Sequence, residues 1–388
     1  MNSITTIRPS QVGKLNERQV LRLLQGQGPL SRAELTRLSG LSAPTISKAV
    51  ASLLGAGLLE ETEASDVARG RPAPRLRLAS LSAQVLGIAI DAGHCEVVAA
   101  GLDGELRTDN PDAFPTPAGY DELIDELAAK CLGLMNRPEV ATLGVGISLP
   151  GLVDDRQGRG VLSPNLPATN GRTPARDLAD RLGIECVLVQ ESHALCLAER
   201  QYGLARGLDD FAMLDVGAGV GLGVVSGGQL LKGHSGLAGE IGHMTTVARD
   251  GLPCGCGNRG CLETVVSDRT LASRVSARLG RSLDIEEILA LARTGQLSLT
   301  EELEDIAMYL AIAAAAVINL FNPSTLFIHS RLFEVDEGLF GKVVSLTQQR
   351  SLPPSFAQCQ VVRAKGSKRQ GAVAGIVQHL TNAVAEVR

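Results

Sequence analysis

The sequence predicts a mixed α/β protein with a small N-terminal module and a larger body of two lobes. Three observations lead to this prediction. The chain has 388 residues, enough for two or three domains, and 44% of them are hydrophobic. Residues 1–80 hold eleven Lys/Arg and six Asp/Glu, a net charge of +5, whereas the remainder carries −10. From Gln84 onward the hydrophobic pattern changes from helical to strand-like, and one hairpin pattern then occurs twice.

The sequence shows neither a long enough membrane span nor a signal peptide, which predicts that the protein stays in the cytoplasm. The best candidate for a membrane span, residues 306–318, is shorter than the roughly 20 residues required and is soon followed by Asn322-Pro323. Residues 1–11 lack the apolar stretch of a signal peptide. The basic charge of the N-terminal module indicates that this module binds a polyanion. The alternative is that the difference in charge between module and body is a chance feature of two solvated surfaces.

Three helices are predicted in the basic module. The first covers residues 16–25, where apolar side chains cluster on one face before a Gly-rich turn. The second begins at Ser31, which forms a capping box with Glu34, and it ends at Gly40. The third opens with Pro44 in its first turn. Short helices in this order are typical of a DNA-binding head.

The third predicted helix has an apolar face and a polar face. Its apolar side chains recur at the spacing of one helical face: Ile46, Val50, Leu53 and Leu54. Thr45, Ser47 and Lys48 therefore point outward, where they can reach a DNA groove. Apolar strands at residues 58–60 and 76–78 follow the helix. The pattern predicts a winged helix-turn-helix DNA-binding domain over residues 1–80.

The segment between the two wing strands contains Arg69-Gly70-Arg71-Pro72, the core sequence of an AT-hook. The narrow minor groove of A/T-rich DNA concentrates negative potential, so Arg69 and Arg71 on a slim backbone can bind there. As an isolated tetrapeptide the sequence is more often a solvated linker, and three helices can also form a protein-protein module. The two signals together favour DNA binding.

The body repeats one hairpin at the start of each lobe. Residues 85–91 form an apolar strand that ends at Asp91 and turns at Gly93, and residues 211–215 do the same at Asp215 and Gly217. Gly-rich tips let backbone N–H groups approach a phosphate, although a tight turn needs no ligand. Helices are expected at residues 120–134, 175–182 and 303–320, which predicts two α/β lobes.

A cluster of cysteines with one histidine predicts a structural zinc site. His243 is followed by Cys254, Cys256 and Cys261, and three thiolates with one imidazole complete a tetrahedral shell. A disulfide between Cys254 and Cys256 would be strained and would leave the third cysteine alone. The remaining cysteines lie in apolar segments and are expected to be reduced core residues: Cys95, Cys131, Cys186, Cys196 and Cys359.

These motifs resemble the ROK family (repressor, open reading frame, kinase), which contains bacterial sugar kinases and sugar-responsive regulators. The likeness is most specific at residues 239–243, at the cysteine cluster through Glu263, and at residues 149–154 and 163–166. It implies a two-lobed actin/hexokinase-like (ribonuclease H-like) sugar-kinase fold after the winged head. The lobes would cover residues 81–190 and 191–388, with the final helix returning to the first lobe. A winged head is typical of the regulators in this family.

The resemblance also implies a sugar site between the lobes. Its residues would be Asn165, Glu191, Glu240, His243 and Glu263. Carboxylates and an amide can bind pairs of sugar hydroxyls, and His243 can offer one ring nitrogen to zinc and the other to the sugar. The alternative for Glu240 and Glu263 is that they are surface carboxylates or only support the metal ligands.

At three places the sequence departs from the pattern of the family's kinases, which predicts that the nucleotide-binding half of the site has been lost. Glu191 stands where the kinases have the Asp that deprotonates the sugar, and its extra methylene would misplace the base. His94-Cys95 replaces Gly-Thr at the first hairpin. His329-Ser330 replaces a Gly-Gly pair that accommodates the nucleotide. Side chains at this last position would crowd the nucleotide.

We therefore expect a sugar-responsive regulator, a repressor that binds operator DNA as a homodimer or a tetramer. The rival is an ATP-dependent sugar kinase with a DNA-binding head and Glu191 as its base. A third hypothesis, in which zinc occupancy is the signal, is less favoured because three thiolates hold the ion too tightly to sample it. The sequence does not identify the sugar or the operator.

Overall fold

The structure, a computed structural model, describes residues 9–62, 74–107, 112–154 and 157–383. The N-terminal module consists of three helices and a two-stranded antiparallel wing: α1 (Pro9–Gln27), α2 (Arg32–Ser39), α3 (Ala43–Gly55), β1 (Leu59–Thr62) and β2 (Arg75–Leu78). α1 begins at Pro9 rather than at residue 16, since proline is favourable at the first helical position. The predicted capping box is present at Ser31 and Glu34, and Gly40 ends α2 in a left-handed conformation.

The first lobe is built on a five-stranded sheet. Its elements are β3 (Ala83–Ile90), β4 (His94–Ala100), β5 (Asp112–Pro115), α4 (Tyr120–Met135), β6 (Ala141–Leu149), β7 (Leu152–Asp154), β8 (Arg159–Leu162), α5 (Pro174–Leu182) and β9 (Cys186–Gln190). The strand order is β5-β4-β3-β6-β9, and β7 and β8 form a separate hairpin. α6 (Glu191–Gln201) follows β9 directly.

The second lobe has the same sheet order as the first. Its strands are β10 (Phe211–Val216), β11 (Val220–Ser226), β12 (Gln229–Leu230), β13 (Thr325–His329) and β14 (Gln360–Arg363), arranged β12-β11-β10-β13-β14. Its helices are α7 (Glu263–Val266), α8 (Asp268–Leu279), α9 (Ile285–Arg293), α10 (Thr300–Phe321), α11 (Glu337–Gln348) and α12 (Pro353–Ala357), and α13 (Lys368–Ala383) ends the described chain. The first strand of each sheet pairs antiparallel with the second and parallel with the fourth. The predicted mixed α/β fold with two similar lobes is thereby confirmed.

Helices α6 and α13 cross between the two sheets. Ala372 of α13 lies directly on the first sheet, because a Cβ atom on Gly146 would be 1.8 Å from its carbonyl oxygen. α6 packs against the second sheet through Leu195 and Cys196. At the crossing, a Cβ atom on Gly371 would be 2.4 Å from the Ala194 carbonyl oxygen. Only glycine permits such an approach, so the two lobes meet closely at this point.

Helix α10 has the length and composition of a membrane span but lies in the core of the second lobe. It is the one such helix among the described residues, with 22 residues, and 56% of its apolar window is buried. Leu310, Ala314 and Val317 pack in the hydrophobic core with strands β10 and β13. The helix extends beyond the predicted residues 303–320 by a turn, which carries acidic side chains at its start.

The winged module shares a hydrophobic core with the first lobe. Val20 and Leu24 of α1 belong to one buried cluster with Val85 and Val98 of the sheet and with Val377 of α13. The module therefore rests on the lobe and is not joined to it by a loose tether. The predicted domain boundaries at residues 80 and 190 stay predictions.

Polar groups hold the connection between module and lobe from both sides. Glu60 on β1 accepts hydrogen bonds from Arg77 Nε (2.7 Å), Leu81 N (3.1 Å) and Ser82 Oγ (2.8 Å). On the lobe side, Arg107 Nη2 donates to the Ser80 carbonyl at 2.9 Å and to the Ala83 carbonyl at 2.8 Å. A carboxylate and a guanidinium thus fix the backbone of residues 80–83.

Candidate functional site

The cysteine cluster forms a compact set of potential metal ligands. One ligand atom each of His243, Cys254, Cys256 and Cys261 lies within 4.8 Å of all the others. His243 Nδ1 is 3.6 Å from Cys254 Sγ, and the Sγ atoms of Cys256 and Cys261 are 3.8 Å apart. Soft thiolates with one imidazole are a donor set for a metal ion. The remaining five cysteines are free thiols and, apart from the partly buried Cys186, are buried.

The loop that carries this cluster also positions three of the predicted sugar residues. A short 3₁₀ turn at Ile241–His243 places Glu240 just before it and His243 at its end. The last cysteine is followed two residues later by Glu263, which begins α7. The second ring nitrogen of His243, Nε2, is 3.9 Å from Glu240 Oε2. The imidazole thus faces the thiol groups on one side and the cleft on the other.

The five predicted sugar residues line one cleft between the lobes: Asn165, Glu191, Glu240, His243 and Glu263. All five are partly buried. Asn165 comes from the first lobe, Glu191 from the start of α6, and the others from the second lobe. The structure therefore brings together the whole predicted set, on both walls of the cleft.

Neighbouring groups orient the polar side chains of this cleft. Gln190 Nε2 donates a hydrogen bond to Glu240 Oε1 at 3.1 Å, and the backbone N–H of Val220 donates to Glu263 Oε2 at 3.3 Å. Arg269 of the second lobe donates to Asn165 Oδ1 at 3.1 Å. Each contact uses only part of the hydrogen-bonding capacity of its acceptor, which leaves oxygen atoms available to ligand hydroxyls.

Burial and mutual repulsion make the carboxylates of the cleft reluctant to ionise. Burial, with the nearby charge of Glu263, raises the pKa of Glu240 to about 7. Burial also raises the pKa of Glu263, against the opposing influence of His243. A partly protonated carboxyl group can both donate and accept a hydrogen bond, which suits a sugar hydroxyl.

A buried ion cluster adjoins the cleft and includes three carboxylates that line it, Asp91, Glu191 and Asp215. Lys368 Nζ is 2.7 Å from Glu191 Oε1, 3.7 Å from Asp215 Oδ2 and 3.8 Å from Asp91 Oδ2. Burial alone would raise the pKa of Asp215, but Lys368 and His329 outweigh it and lower that pKa. Burial raises the pKa of Glu191 to about 7 in spite of Lys368. The two Asp residues are those at the tips of the repeated hairpins.

His329, one of the side chains that depart from the kinase pattern, lies beside this ion cluster. His329 Nδ1 is 2.8 Å from Asp215 Oδ1. Arg331 Nε donates to Asp268 Oδ2 at 2.7 Å, and Arg331 also pairs with Glu286. Asp268, Glu286 and Arg331 line an adjoining cleft of about 810 Å³. The chain thus forms its own ionic contacts at and next to a position where its sequence departs from the kinase pattern.

Sequence reasoning missed two residues beside the cleft, Lys368 and Arg269. Lys368 gave no signal, because a lysine at the start of an amphipathic stretch looks like a solvated residue. Gln190 and Arg269 act by holding Glu240 and Asn165, contacts that only the tertiary fold brings about. Asp91 and Asp215 had a signal, since both stand at the repeated Asp-x-Gly tips.

The predicted DNA-contacting residues are described only in part. Ser47 and Lys48 are exposed on α3. Thr45 is half-buried, and its Oγ1 lies 2.8 Å from Ser42 Oγ at the helix start. Arg69 and Arg71 lie outside the described residues. The exposed face of α3 is therefore the part of the predicted interface that can be located.

Comparison with known protein families gives two matches within this chain. The model of the ROK family matches residues 87–380, and the model of the MarR family matches residues 14–70. The first match covers the two-lobed body, and the second covers the winged module. The sequence-based assignment of both parts is confirmed.

Individual proteins match over the whole chain or over the body. The xylose repressor of Bacillus spizizenii is 25% identical over 346 residues, which cover 88% of each chain. A solved ROK family transcriptional regulator, described as a homologue of the E. coli MLC protein, has a TM-score of 0.80 and 26% identity over 97% of this chain and 98% of its own. A ROK family glucokinase from Streptomyces griseus, solved with glucose and AMPPNP, has a TM-score of 0.68 and 22% identity. The match covers 76% of this chain and 98% of the glucokinase chain, and it shows that the body shares the glucokinase fold.

Proposed function

Because this chain belongs to the ROK family, we propose that it is a sugar-responsive transcription regulator that represses by binding operator DNA in the cytoplasm. The winged module would bind the DNA, and the cleft between the lobes would bind the sugar. The xylose repressor, named for a sugar and for repression, supports this proposal over most of its length. Two winged heads are needed to read two half-sites, so we infer a homodimer, which can pair further into a tetramer.

One observation carries the proposal. The half of the cleft suited to hydroxyl groups has all five predicted residues, whereas at the half that the resemblance assigns to the nucleotide the basic groups Lys368, His329 and Arg331 contact the chain's own carboxylates. A sensor needs to bind its ligand but gains nothing from stabilising a transition state. An enzyme needs both halves. The arrangement therefore supports binding without catalysis.

We also infer that His243, Cys254, Cys256 and Cys261 hold a structural zinc ion. Zinc bound to sulfur at about 2.3 Å in a tetrahedron requires sulfur atoms about 3.8 Å apart, which matches the separation of Cys256 and Cys261. When bound, the ion would fix the loop that presents Glu240 and Glu263. All four ligands come from the protein, which is typical of a structural site.

A second candidate function is an ATP-dependent sugar kinase, and the position of Glu191 favours it. This carboxyl group lies in the cleft with a pKa raised to about 7, which is suitable for a general base. Against this, Lys368 contacts the same carboxylate at 2.7 Å. Incubation with ATP, Mg²⁺ and a panel of hexoses separates the two functions. The regulator shows no sugar-dependent ADP release above background, and the kinase does.

The direct test of the proposal uses the full chain and the DNA upstream of its own and neighbouring genes. Labelled fragments are titrated with the protein, and the bound fragment is then titrated with free sugars, sugar phosphates and N-acetylated sugars. We expect one fragment to bind specifically and one sugar class to change that affinity. Specific binding that no sugar alters would contradict sensing, and the absence of specific binding would contradict regulation.

A further inference from the structure

Arginines line a pocket between the winged module and the body. The pocket encloses about 240 Å³ and lies between α1, the end of α6 with the loop that follows it, and the end of α13. Its arginines are Arg18 and Arg22 of α1, Arg200 of α6 and Arg206 of the loop. Asp209 is the one carboxylate among the described residues that line it. Positive charge therefore dominates the described lining of this pocket.

The guanidinium groups on the body side keep most of their N–H groups available. Arg200 donates from Nη1 to the Gly228 carbonyl at 2.6 Å, and Arg206 donates from Nε to the Gln201 carbonyl at 2.9 Å. Each bond uses one of the five N–H groups of its arginine. Within the part of the chain that the structure describes, no ion pair involves Arg22, Arg200 or Arg206. An anion in the pocket can thus be met by several charged donors.

The ends of helices account for only some of these arginines. Carbonyl groups at a helix C-terminus favour a cation within the last turn. Arg200 lies in the last turn of α6, and Arg206 bonds to the last residue of that helix. Arg22 lies more than one turn before the end of α1 at Gln27, and Arg18 precedes it by a further turn. Arginines one turn apart repel each other, so the fold gathers these charges at a cost that an anion would offset.

We propose that this pocket binds the phosphate group of a small anionic ligand. A guanidinium group pairs with phosphate through two parallel hydrogen bonds, and a phosphate monoester offers three oxygen atoms and nearly two negative charges. Arginines on different walls can therefore contact one phosphate from several directions. A carboxylate carries one charge on two oxygen atoms, which a single arginine satisfies. The site has no lining residue in common with the cleft between the lobes and does not depend on the proposed sugar response.

The surroundings of the pocket favour a phosphate ester of a polar molecule. A volume of about 240 Å³ corresponds to roughly eight water molecules at about 30 Å³ each, enough for a phosphate and a small substituent. The pocket shares Gln25, Gln201 and Arg206 with a larger cleft of about 1150 Å³ between the module and the body. Polar side chains such as Gln27 and Glu105 line this cleft. The organic part of an ester can extend into it while the phosphate stays with the arginines.

A ligand in this pocket would connect the winged module to the body. Arg22 belongs to the module, whereas Arg200 and Arg206 belong to the body. Leu21, which also lines the pocket, is part of the core that the module shares with the first lobe. Binding would therefore add charged contacts across this junction and stabilise the folded chain.

The experiment measures the binding of inorganic phosphate and glycerol phosphate to the full chain by calorimetry in phosphate-free buffer. Succinate and glycerol serve as ligands without a phosphate. The titrations are repeated with Arg22→Gln plus Arg206→Gln, and with Arg22→Lys plus Arg206→Lys, which keeps both charges. The control, Arg137→Gln plus Arg281→Gln, removes two exposed arginines elsewhere and changes the net charge equally. Circular dichroism checks that each variant folds.

We expect glycerol phosphate to bind wild type and the control at one site per chain. The Gln variant should bind it about 100-fold more weakly, since each lost charged hydrogen bond weakens binding about tenfold, and the Lys variant should lie between them. The ester should raise the unfolding temperature of wild type but not that of the Gln variant. No binding to wild type, equal affinities of wild type and the Gln variant, or binding of succinate as tight as that of the ester would overturn the site. Inorganic phosphate that binds as tightly as glycerol phosphate would overturn the preference for an ester.

The backbone of DNA is the other source of phosphate groups. Fluorescence anisotropy therefore measures the affinity of the same variants for a nonspecific duplex in the absence of phosphate. We expect the Gln variant and the control to bind this duplex equally well, because the proposed ligand is a small molecule held between the module and the body. A weaker affinity of the Gln variant than of the control would assign Arg22 and Arg206 to the DNA backbone and overturn the proposal.

Discussion

Glu60 connects the winged module to the first lobe through one carboxylate. Burial opposes its ionisation, but hydrogen bonds from the backbone and side chain of Ser82 and from the backbone of Leu81 outweigh this and lower the pKa of Glu60 to about 2. The ordinary pKa of this group in an unfolded chain is 4.5. The folded state therefore binds this proton less readily than the unfolded state, and the carboxylate stabilises the fold when it is ionised.

This shift predicts how the stability depends on pH. The contribution of Glu60 is complete above about pH 4.5 and is lost as the pH falls toward about 2. Glu60→Gln should lower the free energy of unfolding by about 1–3 kcal/mol at pH 7, because an amide places a donor against backbone donors. The difference between the variant and wild type should then narrow below pH 4. Urea unfolding across this pH range measures both effects.

The matched control for this prediction is the adjacent Glu61→Gln. Glu61 pairs with Arg32 at 3.0 Å, but its side chain is 45% exposed, so a change of less than about 0.5 kcal/mol is expected. Equal losses for the two variants, or a Glu60 variant whose stability follows the wild-type pH profile, would show that the connection does not depend on this carboxylate.

The metal cluster gives a second prediction at the level of single residues. The purified protein should contain about one zinc per chain, and Cys256→Ser should lose it because three ligands hold the ion less well. We expect this variant to keep its DNA affinity and to lose its sugar response, since the loop carries Glu240 and Glu263. Cys359→Ser, at a buried thiol far from the cluster in sequence, is the control. A metal-free protein with a full sugar response would refute the zinc site.

At the level of elements, α3 carries the prediction for DNA binding. Lys48 is exposed on the polar face whose opposite side packs Ile46 and Leu53 into the core. Lys48→Ala should weaken operator binding several-fold, uniformly across sequences if it contacts a phosphate, and with loss of discrimination if it contacts a base. Fluorescence anisotropy on operator and scrambled DNA distinguishes the two. Lys342→Ala, at an exposed lysine of the body, should change neither affinity.

A separate variant tests the predicted minor-groove contacts of the wing. Arg69→Ala with Arg71→Ala should reduce affinity and remove any preference for A/T-rich flanks, because both guanidinium groups are predicted to enter the minor groove. The measurement is repeated on operators with G/C-rich flanks. If affinity and flank preference both stay at the wild-type level, the assignment of these arginines to the minor groove is wrong.

Local patterns predicted the elements well wherever a local signal defined them. The capping box at Ser31, the repeated hairpins and the His/Cys cluster that could hold a metal ion all depend on residues close together in sequence. The crossing of α6 with α13 could not be predicted from the sequence. The close approach of Gly371 to Ala194 joins segments that lie 177 residues apart, and it leaves no periodic pattern in the sequence. Lys368 was missed for the same reason, since its three partners lie far from it in sequence.

For the whole molecule, the shared core predicts that the winged module and the first lobe move as one body. Val20 and Val85 belong to the same buried cluster, and Glu60 with Arg107 fixes the connection between them. Residues 80–83, which connect the module to the lobe, are thus held from both sides. Closure of the cleft would draw Glu240 and Glu263 toward Asn165 and would turn the first lobe with its head. In a dimer, this changes the spacing between the two heads.

The central claim is that sugar occupancy and operator affinity share one conformational equilibrium. A coupling of about 1–3 kcal/mol, or roughly 5- to 150-fold in affinity, is typical, and linkage requires the same factor in both directions. The most direct test is to titrate the identified sugar with and without operator DNA, and to repeat both titrations with Glu263→Ala. We predict that the operator changes the sugar affinity of wild type by the factor by which the sugar changes operator affinity. Equal sugar affinities of wild type in the two titrations would contradict the account.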